Sequence, residues 1–195
     1  MESRFFIAPE QLEAFEAAAR SGSFSAAARS LGKAHGDLKQ ALHWSEMAGI
    51  DAADRSAQPE AMAHCANALR LLRAVGSVEN QERLELSLLF RLGQAQFGAV
   101  GGGSPQVIAT FERAGEVAAM LHETNARVIA HYGQYVGQVL TGQLPKALET
   151  SHRVSAIARE SGAGWVDLIA VRLTAGAAYL MGDLTGAREC LGRLD

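Results

Sequence analysis

The chain has 195 residues, of which 48% are hydrophobic, 6% are aromatic and four are proline. A formal net charge of −3 and a pI of about 6.1 exclude the general basic excess that drives non-specific binding to nucleic acid. Abundant alanine and few β-branched residues in alternating patterns favour an all-α fold. No signal peptide or run of roughly 20 apolar residues is recognisable, so we expect a cytoplasmic protein without membrane contact.

The N-terminal quarter of the sequence predicts three short helices. Pro9 suits a first helical turn, and apolar residues follow it at helical spacing to residue 20. A serine cap opens a second helix that ends at Gly32, and Asp37 caps a third that ends near Gly49.

Three longer amphipathic helices are predicted next, over residues 57–75, 79–97 and 104–123. Cys65 lies in the first of them and Cys190 near the end of the chain. The two cysteines are far apart and have no C-x-x-C spacing, so we expect two reduced, buried thiols.

The last third of the chain contains one helical pattern written twice. Residues 142–147 and 182–187 share the form G-x-L-x-x-A, and each copy lies between two apolar helical runs. The predicted helices cover about residues 125–141, 145–161, 165–181 and 185–194. Helix pairs of this kind cannot bury their apolar faces alone, so they are expected to stack into a right-handed solenoid of antiparallel hairpins.

Motifs for catalysis, nucleotide binding and metal binding are missing from the sequence. The glycine-rich segment 98–103 precedes Ser104-Pro105, a pair that opens helices, but no lysine follows as a phosphate-binding loop requires. Glu149 and His152 form half of a di-iron pattern whose other half is missing, so they are interpreted as a solvated pair. We therefore expect no enzymatic activity, no cofactor and no metal.

Three tyrosines and one arginine are the candidate partner-binding residues. Tyr132, Tyr135, Arg172 and Tyr179 lie on the first helices of the two repeated units. Such helices line the concave face of a solenoid, where aromatic residues and arginines contact peptides. The alternative is that the tyrosines pack against the neighbouring repeat with their hydroxyls at the rim, which is the favoured interpretation for Tyr179.

Residues 41–195 resemble a tetratricopeptide-repeat array, most closely the divergent type that follows the ATPase module of bacterial multidomain regulators, including those with cyclase domains. The similarity is carried by residues 58–64, by Ala68-Leu69-Arg70-Leu71-Leu72, by residues 82–86 and by the two G-x-L-x-x-A units. It implies a non-catalytic scaffold that binds a protein or peptide partner. The ATPase and cyclase motifs of those regulators are absent.

The first 35 residues resemble a different family. Residues 12–32, with Gly22-Ser23-Phe24-Ser25-Ala26-Ala27 at their centre, are similar to the opening of the helix-turn-helix of LysR-type transcription regulators. The resemblance implies that the third helix lies in the DNA major groove. The residues it places near DNA are Ser23, Lys33, His35, Lys39 and Gln40.

Two departures weaken the implied DNA contact. Asp37 would oppose a phosphate, and residues 1–40 carry as many acidic as basic residues. The competing interpretation is that Gly22 begins another hairpin turn at the end of the array.

The sequence thus predicts two regions, a helix-turn-helix-like segment over residues 1–35 and a tetratricopeptide-like domain over residues 36–195. The leading hypothesis for function is a scaffold of a bacterial signalling or transcription-regulatory protein. The alternative is a DNA-binding regulator in which the repeats sense a partner or mediate dimerisation. No polar capping helix follows the last predicted helix, so we expect self-association through the open C-terminal repeat.

Overall fold

The computed structural model describes residues 38–75 and 80–193. All regular secondary structure within these residues is α-helical, which confirms the predicted fold class. The helices are α1 (Leu38–Asp54), α2 (Gln58–Val75), α3 (Gln81–Val100), α4 (Pro105–Met120), α5 (Thr124–Leu140), α6 (Leu144–Ser161), α7 (Gly164–Leu180) and α8 (Leu184–Leu191). The helix-turn-helix-like segment predicted for residues 1–35 lies outside the described residues.

The chain divides into two compact units, Met1–Gln81 and Glu82–Asp195. In the first unit, α1 and α2 form a closely packed helical hairpin. Small residues allow this approach, because a Cβ added to Gly49 of α1 would lie 2.9 Å from the sulfur of Cys65 on α2. Asn67 also donates a hydrogen bond of 2.8 Å to the hydroxyl of Ser45 across the pair.

The second unit contains consecutive hairpins. Side-chain hydrogen bonds from Thr110 to Gln96 and from Arg113 to Glu85 join α3 and α4, while α5 packs with α6 and α7 with α8. Successive hairpins pack through α4 on α5 and α6 on α7, and α5 also contacts α7. A buried cluster that includes Val128, Val154, Ile157 and Val166 joins α5, α6 and α7. The predicted succession of neighbouring helical hairpins is therefore confirmed within this unit, while its handedness stays a prediction.

Residues with left-handed backbone conformations recur every 20 or 21 residues along the second unit. They are Gly101, His122, Gly142, Gly162 and Gly182, and each terminates a helix. At Gly142 the next amide, of Gln143, donates 2.8 Å to the carbonyl of Gln138, which closes the helix in a Schellman motif. The same bonding pattern occurs at Gly182 and at His122. The repeat thus extends upstream of the two copies recognisable from G-x-L-x-x-A.

A buried side-chain hydrogen bond recurs inside two of the hairpins. Thr110 of α4 donates to Gln96 of α3 at 2.8 Å, and Thr150 of α6 donates to Gln138 of α5 at 2.9 Å. Each bond satisfies polar groups that would be costly to bury alone. The third hairpin has Ala178 and Cys190 at the corresponding places, 40 residues after Gln138 and Thr150, so it lacks the bond.

Candidate partner-binding face

Large apolar side chains are exposed along one side of two neighbouring helices. Ile129 and Tyr132 of α5 are 55% and 39% exposed, and Trp165 and Leu168 of α7 are 46% and 54% exposed. We define the α5–α7 face as these four residues together with Arg172 and Tyr179, both exposed on α7.

Helical spacing explains why these side chains share a face. On α7, residues 165, 168, 172 and 179 follow at intervals of three, four and seven, which places them along one stripe. The opposite side of each helix is buried, through Ala130 and Gln134 on α5 and through Val166 and Ala170 on α7. Gly176, on the same stripe of α7 as Arg172, lies against Tyr135 of α5, which brings the two stripes next to each other.

Tyr135 packs between the two helices. It is only 9% exposed, and its hydroxyl oxygen lies 2.9 Å from where a Cβ of Gly176 would stand. The pKa of Tyr135 is raised, chiefly by burial and also by Tyr132, while the charge of Arg172 acts to lower it. Tyr132, Tyr135 and Arg172 are therefore brought close together, with Tyr135 beneath the surface and the other two on it.

Tyr179 occupies a different part of the face. Its side chain is 64% exposed near the end of α7, seven residues beyond Arg172, so it does not pack against the neighbouring repeat as its sequence interpretation favoured. Partner binding by these four residues stays a prediction. Ile129, Trp165 and Leu168 are not among the residues predicted from the sequence, although they recur outside the buried positions of the helical pattern, which is a detectable signal.

The charge distribution of the face is one-sided. The α5 sequence contains no acidic residue, and Asp167, the single acid of α7, lines a cavity bounded by α6 and α8. Arg172 takes part in no ion pair within the described residues. The α5–α7 face is thus apolar and carries a positive charge without a counter-charge from its own helices.

The candidate DNA-binding residues are only partly described. Lys39 is exposed and Gln40 is half-buried, and both lie in the first turn of α1. Ser23, Lys33 and His35 fall outside the described residues. DNA binding and self-association through the last repeat both stay predictions.

His131 of α5 lies in the groove between α4 and α6. Its Cε1 is 3.6 Å from where a Cβ of Gly115 on α4 would stand, and its Nδ1 is 3.3 Å from the side-chain oxygen of Gln134. The pKa of His131 is lowered, chiefly because burial disfavours the charged ring. The positive charges of Arg153 and Arg127 add to this effect, and the hydrogen bond with Gln134 opposes it.

Stability should consequently fall in mild acid through His131. Because its pKa is lower in the folded than in the unfolded chain, the unfolded chain takes up the proton first. The stabilisation that His131 contributes is complete above about pH 6.5, the ordinary histidine pKa. It is lost as the pH falls through the lower pKa that His131 has in the folded chain. We expect His131→Gln to reduce the drop in the urea midpoint between about pH 7.5 and about pH 5. Gln134→Ala, which removes no titrating group, should retain the drop, and an equal drop in His131→Gln would contradict the assignment.

Neither a metal centre nor a membrane span is found in the described residues. Across residues 38–75 and 80–193 there is no group of three or more His, Cys, Asp or Glu side chains that could hold a metal ion. Over the same ranges, none of the helices is both long enough and apolar enough to cross a bilayer. Glu149 and His152 are both exposed on α6.

No protein-family model matches this chain, and no curated protein matches it either.

Proposed function

We propose that this chain is a tetratricopeptide-like scaffold of a signalling or transcription-regulatory protein. It holds a peptide segment of a partner protein on the α5–α7 face. The observation that carries the proposal is the row of exposed apolar side chains on two contacting helices around Arg172. Contiguous apolar surface of this kind is typical of interaction sites, and Trp, Tyr and Arg are the residues most often important in them.

The chemistry of the face indicates the kind of segment it binds. Trp165 and Leu168 offer apolar contact area, and Tyr132 adds a hydroxyl beside the ring surface. The guanidinium of Arg172 can donate two parallel hydrogen bonds to a carboxylate, and neither α5 nor α7 supplies a carboxylate on this face. The partner segment therefore combines apolar side chains with an acidic group.

Selection from a library of random dodecapeptides on the immobilised chain tests this proposal. We expect the selected peptides to be enriched in apolar residues next to Asp or Glu. Arg172→Glu should weaken the binding of these peptides at least about tenfold, since a repulsion replaces an ion pair and about 1.4 kcal/mol corresponds to a factor of ten. Tyr132→Ala should weaken it similarly, with helicity by circular dichroism unchanged.

Arg153→Glu is the matched control, because Arg153 is an exposed arginine on α6, outside the face. It should leave peptide affinity within about twofold of the parent chain, apart from long-range electrostatics that salt screens. Peptides without acidic residues, or equal losses in Arg153→Glu and Arg172→Glu, would count against the proposal.

Binding to duplex DNA tests the alternative function, a DNA-binding regulator. A random duplex added at about 50 mM salt, where phosphate contacts are strong, should leave the mass measured by light scattering unchanged. A mass increase that Lys39→Glu abolishes would instead support the DNA-binding regulator.

A further inference from the structure

A groove runs over α7 between α6 and α8, on a different side of α7 from the α5–α7 face. It consists of two cavities, of about 390 Å³ and about 240 Å³, which share His152, Thr174 and Cys190. The residues from α6 and α7 recur mostly at intervals of three and four, and α8 contributes Gly186 and Cys190, four residues apart, so the groove follows the helices rather than a local irregularity.

The groove is open because α7 has shorter side chains than α5 has at the equivalent positions of the preceding repeat. Between α4 and α6, the corresponding positions of α5 carry long side chains that occupy the space: His131 contacts Gln134, and Arg127 forms an ion pair of 2.8 Å with Glu160 of α6. Forty residues later along the chain, α7 has Asp167, Val171 and Thr174 at the positions of Arg127, His131 and Gln134. The shorter side chains leave the cavity.

The two ends of the groove differ in chemistry. The larger cavity is lined by Arg159 of α6 and by Arg193, against the one carboxylate of Asp167. None of these three residues forms an ion pair among the described residues.

The smaller cavity is lined by Leu148, Ala178 and Met181. The carboxylate of Asp183, also at that end, accepts a hydrogen bond of 2.9 Å from the amide of Gly186 and caps α8. This leaves one cationic end and one mainly apolar end.

We propose that the groove binds a small amphipathic anion. Its carboxylate lies between Arg159 and Arg193, and its apolar chain extends past Thr174 towards Met181. The 390 Å³ cavity is within the usual range of about 300–1,000 Å³ for small-molecule sites, where a few polar groups fix the orientation of a mainly apolar ligand. From residue 167 to residue 180, α7 is about 20 Å long at about 1.5 Å per residue, so the groove along it accommodates an extended chain. The site is independent of the α5–α7 face and of the partner proposed for it.

Cys190 supplies a reporter for this site. It is half-buried and lines both cavities, whereas Cys65, the other cysteine, is fully buried in the first unit. Decanoate is the probe, and the measurement is the rate at which a chromogenic disulfide reagent modifies Cys190 in the full chain. We expect saturating decanoate to slow this reaction at least about tenfold, while acetate and decanol at the same concentrations leave it within about twofold. In Cys190→Ser, only the slow modification of the buried Cys65 should remain, which would identify Cys190 as the residue that reacts in the parent chain.

Two variants test the two ends of the groove. Arg159→Gln combined with Arg193→Gln changes only exposed side chains and should weaken decanoate protection of Cys190 at least about tenfold. Val171→His combined with Thr174→Gln gives α7 the longer residues that α5 has at the equivalent positions. These side chains should fill the groove and abolish decanoate binding measured by calorimetry.

Three results would overturn the proposal: no protection by decanoate, equal protection by decanol, or unchanged affinity in the double arginine variant. Protection of Cys190 by an acidic apolar peptide but not by decanoate would also overturn it, and would assign the groove to a protein partner.

Discussion

Ile157→Ala is expected to lower the free energy of unfolding of the second unit by about 2–5 kcal/mol, the usual loss for truncating a buried isoleucine. Ile157 of α6 is 1% exposed and belongs to the cluster that joins α5, α6 and α7. Removal of its side-chain carbons leaves a cavity at the junction of two hairpins. In a stack of repeats, stability comes largely from these junctions. Urea unfolding followed by circular dichroism measures the loss.

Ile129→Ala is the matched control, since it makes the same chemical change on α5 at a side chain that is 55% exposed. Its effect should stay within about 0.5 kcal/mol, as is usual for surface substitutions. Comparable losses in the two variants would mean that Ile129 is buried in solution, and would remove it from the α5–α7 face.

Gly137→Val is the second substitution with a large expected effect, a loss of about 3 kcal/mol, at the upper end of the usual cost of overpacking. A Cβ at Gly137 would lie 2.9 Å from the carbonyl oxygen of Gly102 and 2.6 Å from a side-chain carbon of Ile108. The backbone carbonyl cannot rotate away as a side chain can, so α5 must move off the preceding hairpin. The melting temperature and the urea midpoint should both fall.

Gly164→Val tests whether the loss at Gly137 comes from contact rather than from changing a helical glycine. Gly164 is the first residue of α7, and a Cβ there has no atom within 4 Å. This variant should stay within about 0.5 kcal/mol of the parent chain. A similar loss at both positions would contradict the close approach of α5 to residue 102.

Helix positions followed from local chemistry and could be predicted closely. The helices predicted at residues 125–141, 145–161 and 165–181 are observed as α5, α6 and α7, each displaced by about one residue. Ser104 caps α4 as expected, accepting a hydrogen bond of 3.3 Å from the amide of Gln106. These features depend on residues adjacent in the chain, which is why a single sequence contains them.

Turns without a glycine and contacts between helices could not be predicted in the same way. The turn at His122 matches those at Gly142 and Gly182, but no glycine marks it. The two hydrogen-bonded pairs, Gln96 with Thr110 and Gln138 with Thr150, connect residues on facing helices whose register depends on the turn between them. Spacing along one helix does not contain that information.

The candidate site also has features that local sequence determines and features that depend on packing between helices. The sequence by itself determined that Tyr132, Tyr135, Arg172 and Tyr179 lie on the first helices of two repeated units, because helical periodicity and the G-x-L-x-x-A turns are local properties. The tertiary structure decided that Tyr135 is buried against Gly176 while Tyr132 and Arg172 stay on the surface. It also decided that the short side chains of α7 leave a groove open, whereas the longer side chains of α5 fill the equivalent space one repeat earlier. The physical reason is that exposure depends on which helix packs against which, and that packing is set by side-chain volumes on helices far apart in the chain.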